Sequence, residues 1–129
     1  MTKRTYPEQK LHIECIDALR RLAPDLIVFH PANGGWRSER AGHLFKAMGV
    51  LPGVSDLIFC LPDGRFAAIE LKAGKGQATA AQVEFSRRVT NQNGFFEIIR
   101  SLDELLSTLE RWGVSTKVHP SRVFGNEAA

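Results

Sequence analysis

An α/β sandwich around a small mixed β-sheet is the fold class the sequence predicts, and three observations lead to it. Helical and strand periodicities alternate along the chain in the order helix, strand, helix, hairpin, helix, strand, helix. The central hairpin is marked by an Asp63-Gly64 step between two β-prone runs. At 129 residues the chain has the size of one ordinary domain, with room for a single apolar core. The order does not suit a TIM barrel or a Rossmann fold, and the sequence has neither a GxGxxG motif nor a P-loop.

Each element has its own signal. Pro7 is tolerated in a first helical turn, and Leu11, Cys15, Leu19 and Leu22 recur at helical spacing until Ala23-Pro24, which predicts an amphipathic helix over residues 7–22. Leu26 to His30 is short, apolar and β-prone, and the turn-rich Pro31-Ala32-Asn33-Gly34-Gly35 follows it. Ser38 is placed to cap a helix that runs to about Met48, after which Gly49, Pro52 and Gly53 mark a loop. The hairpin strands are Asp56–Leu61 and Phe66–Leu71, joined by Pro62-Asp63-Gly64-Arg65, and both Phe59 and Phe66 are expected in the core. Thr79 opens a polar helix to about Asn91, Gly94 breaks it, and Phe95–Ile99 reads as a strand. Ser101 and Glu104 form a capping-box pattern for a last helix ending near Trp112-Gly113. The expected organisation is a domain over residues 1–113 and a loose polar tail over 114–129.

Composition restricts function only broadly. Seventeen basic against 14 acidic residues give a formal charge of +3, compatible with a polyanionic partner without requiring one. Cys15 and Cys60 fall outside any CxxC spacing and are expected as two core thiols in a reducing compartment. No apolar run reaches the roughly 20 residues that span a bilayer, and Met1 to Thr5 lacks the apolar stretch of a signal peptide. A soluble cytoplasmic protein is the expectation.

The chemistry-bearing constellation lies at one end of the hairpin. Asp56 begins one strand and Glu70-Leu71-Lys72 ends its antiparallel partner, so the two ends lie side by side. Alternation puts Glu70 and Lys72 on one face and Leu71 on the other, towards the core. Strand-end charges of this kind are also common on solvated surfaces. Here, however, Ile69 and Leu71 bracket Glu70 in a strand that reads as buried, where a carboxylate is costly unless it is paired or binds metal. Two carboxylates beside a scissile phosphate suit a hard divalent cation such as Mg²⁺, and Lys72 can orient water or offset developing phosphate charge.

Asp56, a thirteen-residue gap and Glu70-Leu71-Lys72 resemble the PD-(D/E)XK nuclease signature, with Ser55 where that family often has proline. Three ordered motifs resemble the VRR-NUC family more specifically: His30 to Gly35, Gly49 to Asp56, and Ile69 to Ala73 with Gln82 downstream. The likeness covers roughly residues 8 to 112. It implies a restriction endonuclease-like core and a stand-alone nuclease of the phage or bacterial type, dependent on Mg²⁺ or Mn²⁺. It also implies action on branched DNA such as four-way junctions, a role in repair or recombination, and a homodimer. By the same resemblance Asp56 and Glu70 bind metal, Lys72 is catalytic and Gln82 supports the site from the following helix.

The family also places an acidic residue on the first helix, where this chain offers Glu8 and Glu14. Glu8 extends the apolar stripe, whereas Glu14 lies with Lys10, Asp17 and Arg21 on a polar face, so Glu8 is taken as catalytic and metal-binding. His12 stands where the family often has glutamine, and its role is open between the site and the edge of the core.

For DNA contacts the candidates are His30, Asn33 and Gly34 at the first loop, Arg37, Arg40 and Lys46 around the second helix, and Lys75. His43, Arg87 and Arg88 are further basic candidates, and Trp36 is either a stacking platform or a half-buried anchor. A DNA-binding or assembly protein that keeps the fold without turnover is the alternative, set against the intact Asp56, Glu70 and Lys72. An RNA-binding module, with aromatic platforms on its strands, is the third reading.

Overall fold

The computed structural model describes residues 6–32 and 38–116. Helix α1 (Tyr6–Leu22) has Pro7 in its first turn, where a missing N–H costs nothing, and it buries Leu11, His12, Cys15, Ala18 and Leu19. Ala23 N–H closes its last turn on Leu19 O at 2.9 Å, and Pro24 follows. Strand β1 (Ile27–Phe29) is one residue shorter at each end than the apolar run; Ile27 and Phe29 are exposed and Val28 faces the core. Helix α2 (Glu39–Ala47) is capped by Ser38, whose hydroxyl accepts from Ala41 N–H at 3.1 Å, and none of its residues is buried. Then come β2 (Leu57–Cys60), β3 (Phe66–Leu71), α3 (Ala80–Asn91), β4 (Phe95–Ile99) and α4 (Leu102–Arg111).

The four strands form one mixed sheet in the order β1-β2-β3-β4. β1 and β3 run antiparallel to β2, with Val28 opposite Phe59 and Leu57 opposite Ile69, and β4 runs parallel to β3 with Glu70 opposite Ile98. The hairpin loop forms around the expected turn: Asp63 accepts from Arg65 N–H at 3.0 Å and Gly64 takes φ 85°. The parallel pair requires a crossover, and α3 supplies it.

Leu11, Cys15 and Leu19 of α1 and Leu105 and Leu109 of α4 close over Leu57, Phe59, Ile69, Leu71 and Ile99 on one face of the sheet. Helix α3 covers the other face, so Ala67 to Leu71 are buried on both sides. Phe59 is in the core, but Phe66 is 43% exposed. It begins β3 on the face shared with Ala68 and lines an open cavity of about 280 Å³ with Leu51, Phe85 and Val89. Cys60 likewise ends β2 on that face and is exposed, in contrast to the core position expected for it.

Helix endings also refine the expectation. Gly113 (φ 82°) reverses the chain after α4, its N–H bonding Glu110 O at 3.0 Å while Val114 N–H bonds Leu109 O at 2.9 Å. Val114 is thereby returned to the core at 7% exposure, so packing continues past the expected start of the tail. After α3 the left-handed residue is Asn93 (φ 67°), not Gly94. Gly94 is needed for another reason: a Cβ there would lie 2.9 Å from Val89 Cγ1. Ser101 caps α4 through Glu104 N–H, but Glu104 bonds Arg100 N–H; the reciprocal capping box is at Thr79 and Gln82 of α3.

Burial pushes the Cys15 thiol from 9.0 up to about 12, with nearby Glu14 adding to the shift. Cys60 is expected to be alkylated in the native protein and Cys15 only after unfolding, as checked by mass spectrometry before and after denaturant. Because the folded thiol stays protonated above the unfolded value, its contribution to stability is full below pH 9.0 and is lost towards pH 12. Urea midpoints across that range, compared with Cys15→Ala, measure it.

Candidate active site

Asp56 immediately precedes β2, and two hydrogen bonds fix it. Its Oδ2 accepts from Leu71 N–H at 2.9 Å, extending the hairpin ladder by a side chain. Its carbonyl oxygen receives His30 Nδ1 at 2.7 Å. A carbonyl can only accept, so the proton lies on Nδ1 and, in the neutral ring, Nε2 holds the lone pair.

The loop before Asp56 packs tightly on the start of α3. Gly53 takes φ 76°, and a Cβ there would come within 2.3 Å of Ala81 O, so only glycine permits this approach. Ser55 is 1% exposed, and its hydroxyl has no hydrogen-bond partner among the described residues. Where the resembling family often has proline, this chain therefore keeps a buried polar atom.

Glu70 is 3% exposed on the α3 face of β3, as alternation predicts. Its Oε2 accepts from Gln82 Nε2 at 2.8 Å and lies 3.7 Å from Lys72 Nζ, itself on a side chain only 6% exposed. Gln82 Oε1 accepts from Thr79 N–H at 2.9 Å, while Gln82 N–H bonds Thr79 Oγ1 at 3.2 Å. With its oxygen held by the helix cap, the amide must turn its NH₂ group to Glu70.

On α1 the structure separates the two acidic candidates. Glu14 is exposed, whereas Glu8 Oε2 and Lys72 Cδ lie 3.5 and 3.6 Å from the place a Cβ on Gly76 would occupy. Glu8 thus reaches the neighbourhood of Lys72. One turn later His12 stands edge-on to His30, their ring centroids 4.5 Å apart. Ligand atoms of His12, His30 and Asp56 all lie within 4.8 Å of one another, a group that could hold a metal ion. The histidines and Asp56 offer nitrogen and oxygen donors in the types divalent cations take.

Arg100 is a structural participant that sequence inspection missed. Its guanidinium donates to Gly74 O and Gly76 O, both at 2.8 Å, and holds the loop after β3 that carries Lys75. Nothing in its local sequence separates it from other surface arginines. Of the DNA-contact candidates, Arg40, His43, Lys46 and Lys75 are exposed, and His30 lies against Asp56. Arg87 is held by Glu84 at 2.6 Å, a contact that lowers the Glu84 pKa and raises that of Arg87, and Arg88 is exposed. Asn33, Gly34, Trp36 and Arg37 lie outside the described residues.

No family model and no curated protein matches the sequence. A solved structure described as "VRR_NUC domain protein" superposes with a TM-score of 0.64 at 22% identity, covering 85% of this chain and 90% of that one. The chain shares the fold of that structure, a four-stranded mixed sheet flanked by helices. Among the described residues no helix is long and apolar enough to cross a membrane.

Gln82→Glu should keep the α3 cap but set a second carboxylate against Glu70. The expected loss is at least about 1 kcal/mol at neutral pH, recovering as acid protonates the pair; urea unfolding across pH measures it. Ser55→Ala should leave stability unchanged or raise it by up to about 1 kcal/mol in the same assay.

Proposed function

We propose that this protein is a divalent-metal-dependent nuclease that hydrolyses DNA phosphodiester bonds, with branched DNA such as a four-way junction as substrate. The observation that carries the proposal is the buried Glu70, hydrogen-bonded by Gln82 and next to Lys72, at the strand end where Asp56 is fixed. A buried carboxylate with an ammonium beside it is costly to assemble, and the arrangement suits catalysis better than packing. The VRR_NUC fold of the structural neighbour supports the same reading.

Asp56 and Glu70 would hold Mg²⁺ or Mn²⁺, with Glu8 contributing from α1. A cation held there supplies Lewis-acid polarisation of the scissile phosphate. Lys72, with Glu70 at 3.7 Å, is placed to orient the attacking water and to offset negative charge developing on the phosphate. Water oxygen forms the new bond to phosphorus, the P–O bond to the leaving strand breaks, and the leaving oxygen takes up a proton. Gln82 has its amide fixed by the α3 cap and keeps Glu70 in one orientation. Arg40, Lys46 and Lys75 offer exposed cations for the phosphate backbone, and Asn33, Gly34 and Arg37 are further candidates for DNA contact from the sequence alone. A two-fold dimer would present two such sites to a branched substrate.

Labelled single-stranded, duplex, flap and four-way-junction DNA incubated with Mg²⁺, Mn²⁺ or EDTA tests the reading. Glu70→Gln and Lys72→Ala should each lower cleavage at least about a hundredfold, and EDTA should abolish it. Binding without cleavage under every metal would favour the non-catalytic DNA-binding protein. Light scattering of free and DNA-bound protein should show two copies.

A further inference from the structure

The oxygen-rich part of the site suits Mg²⁺, but the group whose ligand atoms lie within 4.8 Å of one another contains two imidazoles. We propose that His12, His30 and Asp56 form a binding position for a first-row transition-metal ion of the Mn²⁺, Co²⁺, Ni²⁺ or Zn²⁺ class, and that this position discriminates against Mg²⁺. The inference rests on the metal-dependent reading above only in taking Asp56 as a ligand.

Three observations converge on it. His12 is a 9% exposed polar ring on the buried side of α1, and it stands edge-on to another histidine, His30, with ring centroids 4.5 Å apart. His30 has its Nδ1 proton committed to Asp56 O at 2.7 Å. A hydrogen bond from one ring nitrogen to a backbone carbonyl is what orients a metal-ligating histidine, since it fixes the tautomer and makes Nε2 the donor. Asp56, gripped through Leu71 N–H at 2.9 Å, brings a carboxylate to the same spot without freedom to swing away.

Donor chemistry then decides the ion. Mg²⁺ takes oxygen ligands and gives up water reluctantly, so a site with two nitrogen donors offers it little. Imidazole suits the later first-row ions, whose affinity for nitrogen sites rises towards copper. Three protein donors leave the rest of such an ion's coordination sphere to water or a phosphate oxygen.

Equilibrium binding tests this without turnover. Metal-stripped protein is titrated with Zn²⁺, Mn²⁺ and Mg²⁺ by calorimetry, and with Co²⁺ while its visible absorption is recorded. One equivalent of Zn²⁺ should bind at least about a hundredfold more tightly than Mg²⁺. His12→Gln and His30→Gln should each weaken Zn²⁺ binding about tenfold or more and change the Co²⁺ spectrum. His30 is the exposed partner, so His30→Gln decides the matter should His12→Gln fail to fold. Zn²⁺ binding unchanged in His30→Gln, or Mg²⁺ binding as tightly as Zn²⁺, would overturn the proposal. Loss of cleavage in Glu70→Gln with Zn²⁺ binding retained would show the two readings to be separable.

Discussion

Glu70 must keep a carboxylate satisfied in a strand whose neighbours, Ile69 and Leu71, are completely buried. Removing such a charge from water costs several kcal/mol unless its partners are held in place beforehand. The surrounding structure supplies those partners from separate parts of the chain. Lys72 comes from the same strand face two residues on, and Gln82 from the first turn of the crossover helix. Gln82 is a usable partner only because Thr79 occupies the other side of its amide. The α3 cap, ordinarily a device for starting a helix, thereby also fixes the geometry of the site.

The same economy extends to the loops. Gly53 lets the segment before β2 press against the backbone of Ala81 and Gln82, which ties the position of Asp56 to the helix that supports Glu70. Arg100, just after β4, reaches across to two carbonyls of the loop after β3. Both strand ends that carry the site are thus braced by neighbours in the sheet or on the helix above it. Helix α2, by contrast, buries nothing and presents Arg40, His43 and Lys46 to solvent. Binding through such exposed cations would be electrostatic and strongly weakened by salt.

Local signals in the sequence were enough to specify most of this architecture. The Asp63-Gly64 turn placed β2 against β3, and alternation then put Glu70 and Lys72 on one face with Leu71 in the core. Gln82 was singled out through the motif, and in the structure its amide donates to Glu70. The misses concern which surface a residue meets at the ends of elements. Phe66 and Cys60 have the composition of core residues, but they lie at the hairpin end of the sheet on the α3 face, where both stay exposed. Val114 is polar-tail sequence by its context, and the reversal at Gly113 returns it to the core. His12 and His30 meet through the packing of α1 on the sheet, and no periodicity within either element encodes that meeting.

That meeting changes how the site's chemistry is divided. Glu8 and His12 are one helical turn apart, so α1 delivers a carboxylate towards Lys72 and an imidazole towards His30. Asp56 belongs to both neighbourhoods: its side chain bonds the N–H between Glu70 and Lys72, and its carbonyl orients His30. An aspartate held at two atoms cannot serve one neighbourhood by turning away from the other. A cation drawn to the imidazoles therefore adds positive charge next to the Glu70 and Lys72 pair, and a cation drawn to the carboxylates does the same next to the histidines. Were cations bound at both donor sets, occupancy of one would alter the affinity of the other. A glutamine at position 12, as the resembling family often has, would remove one of the two imidazoles and much of that coupling.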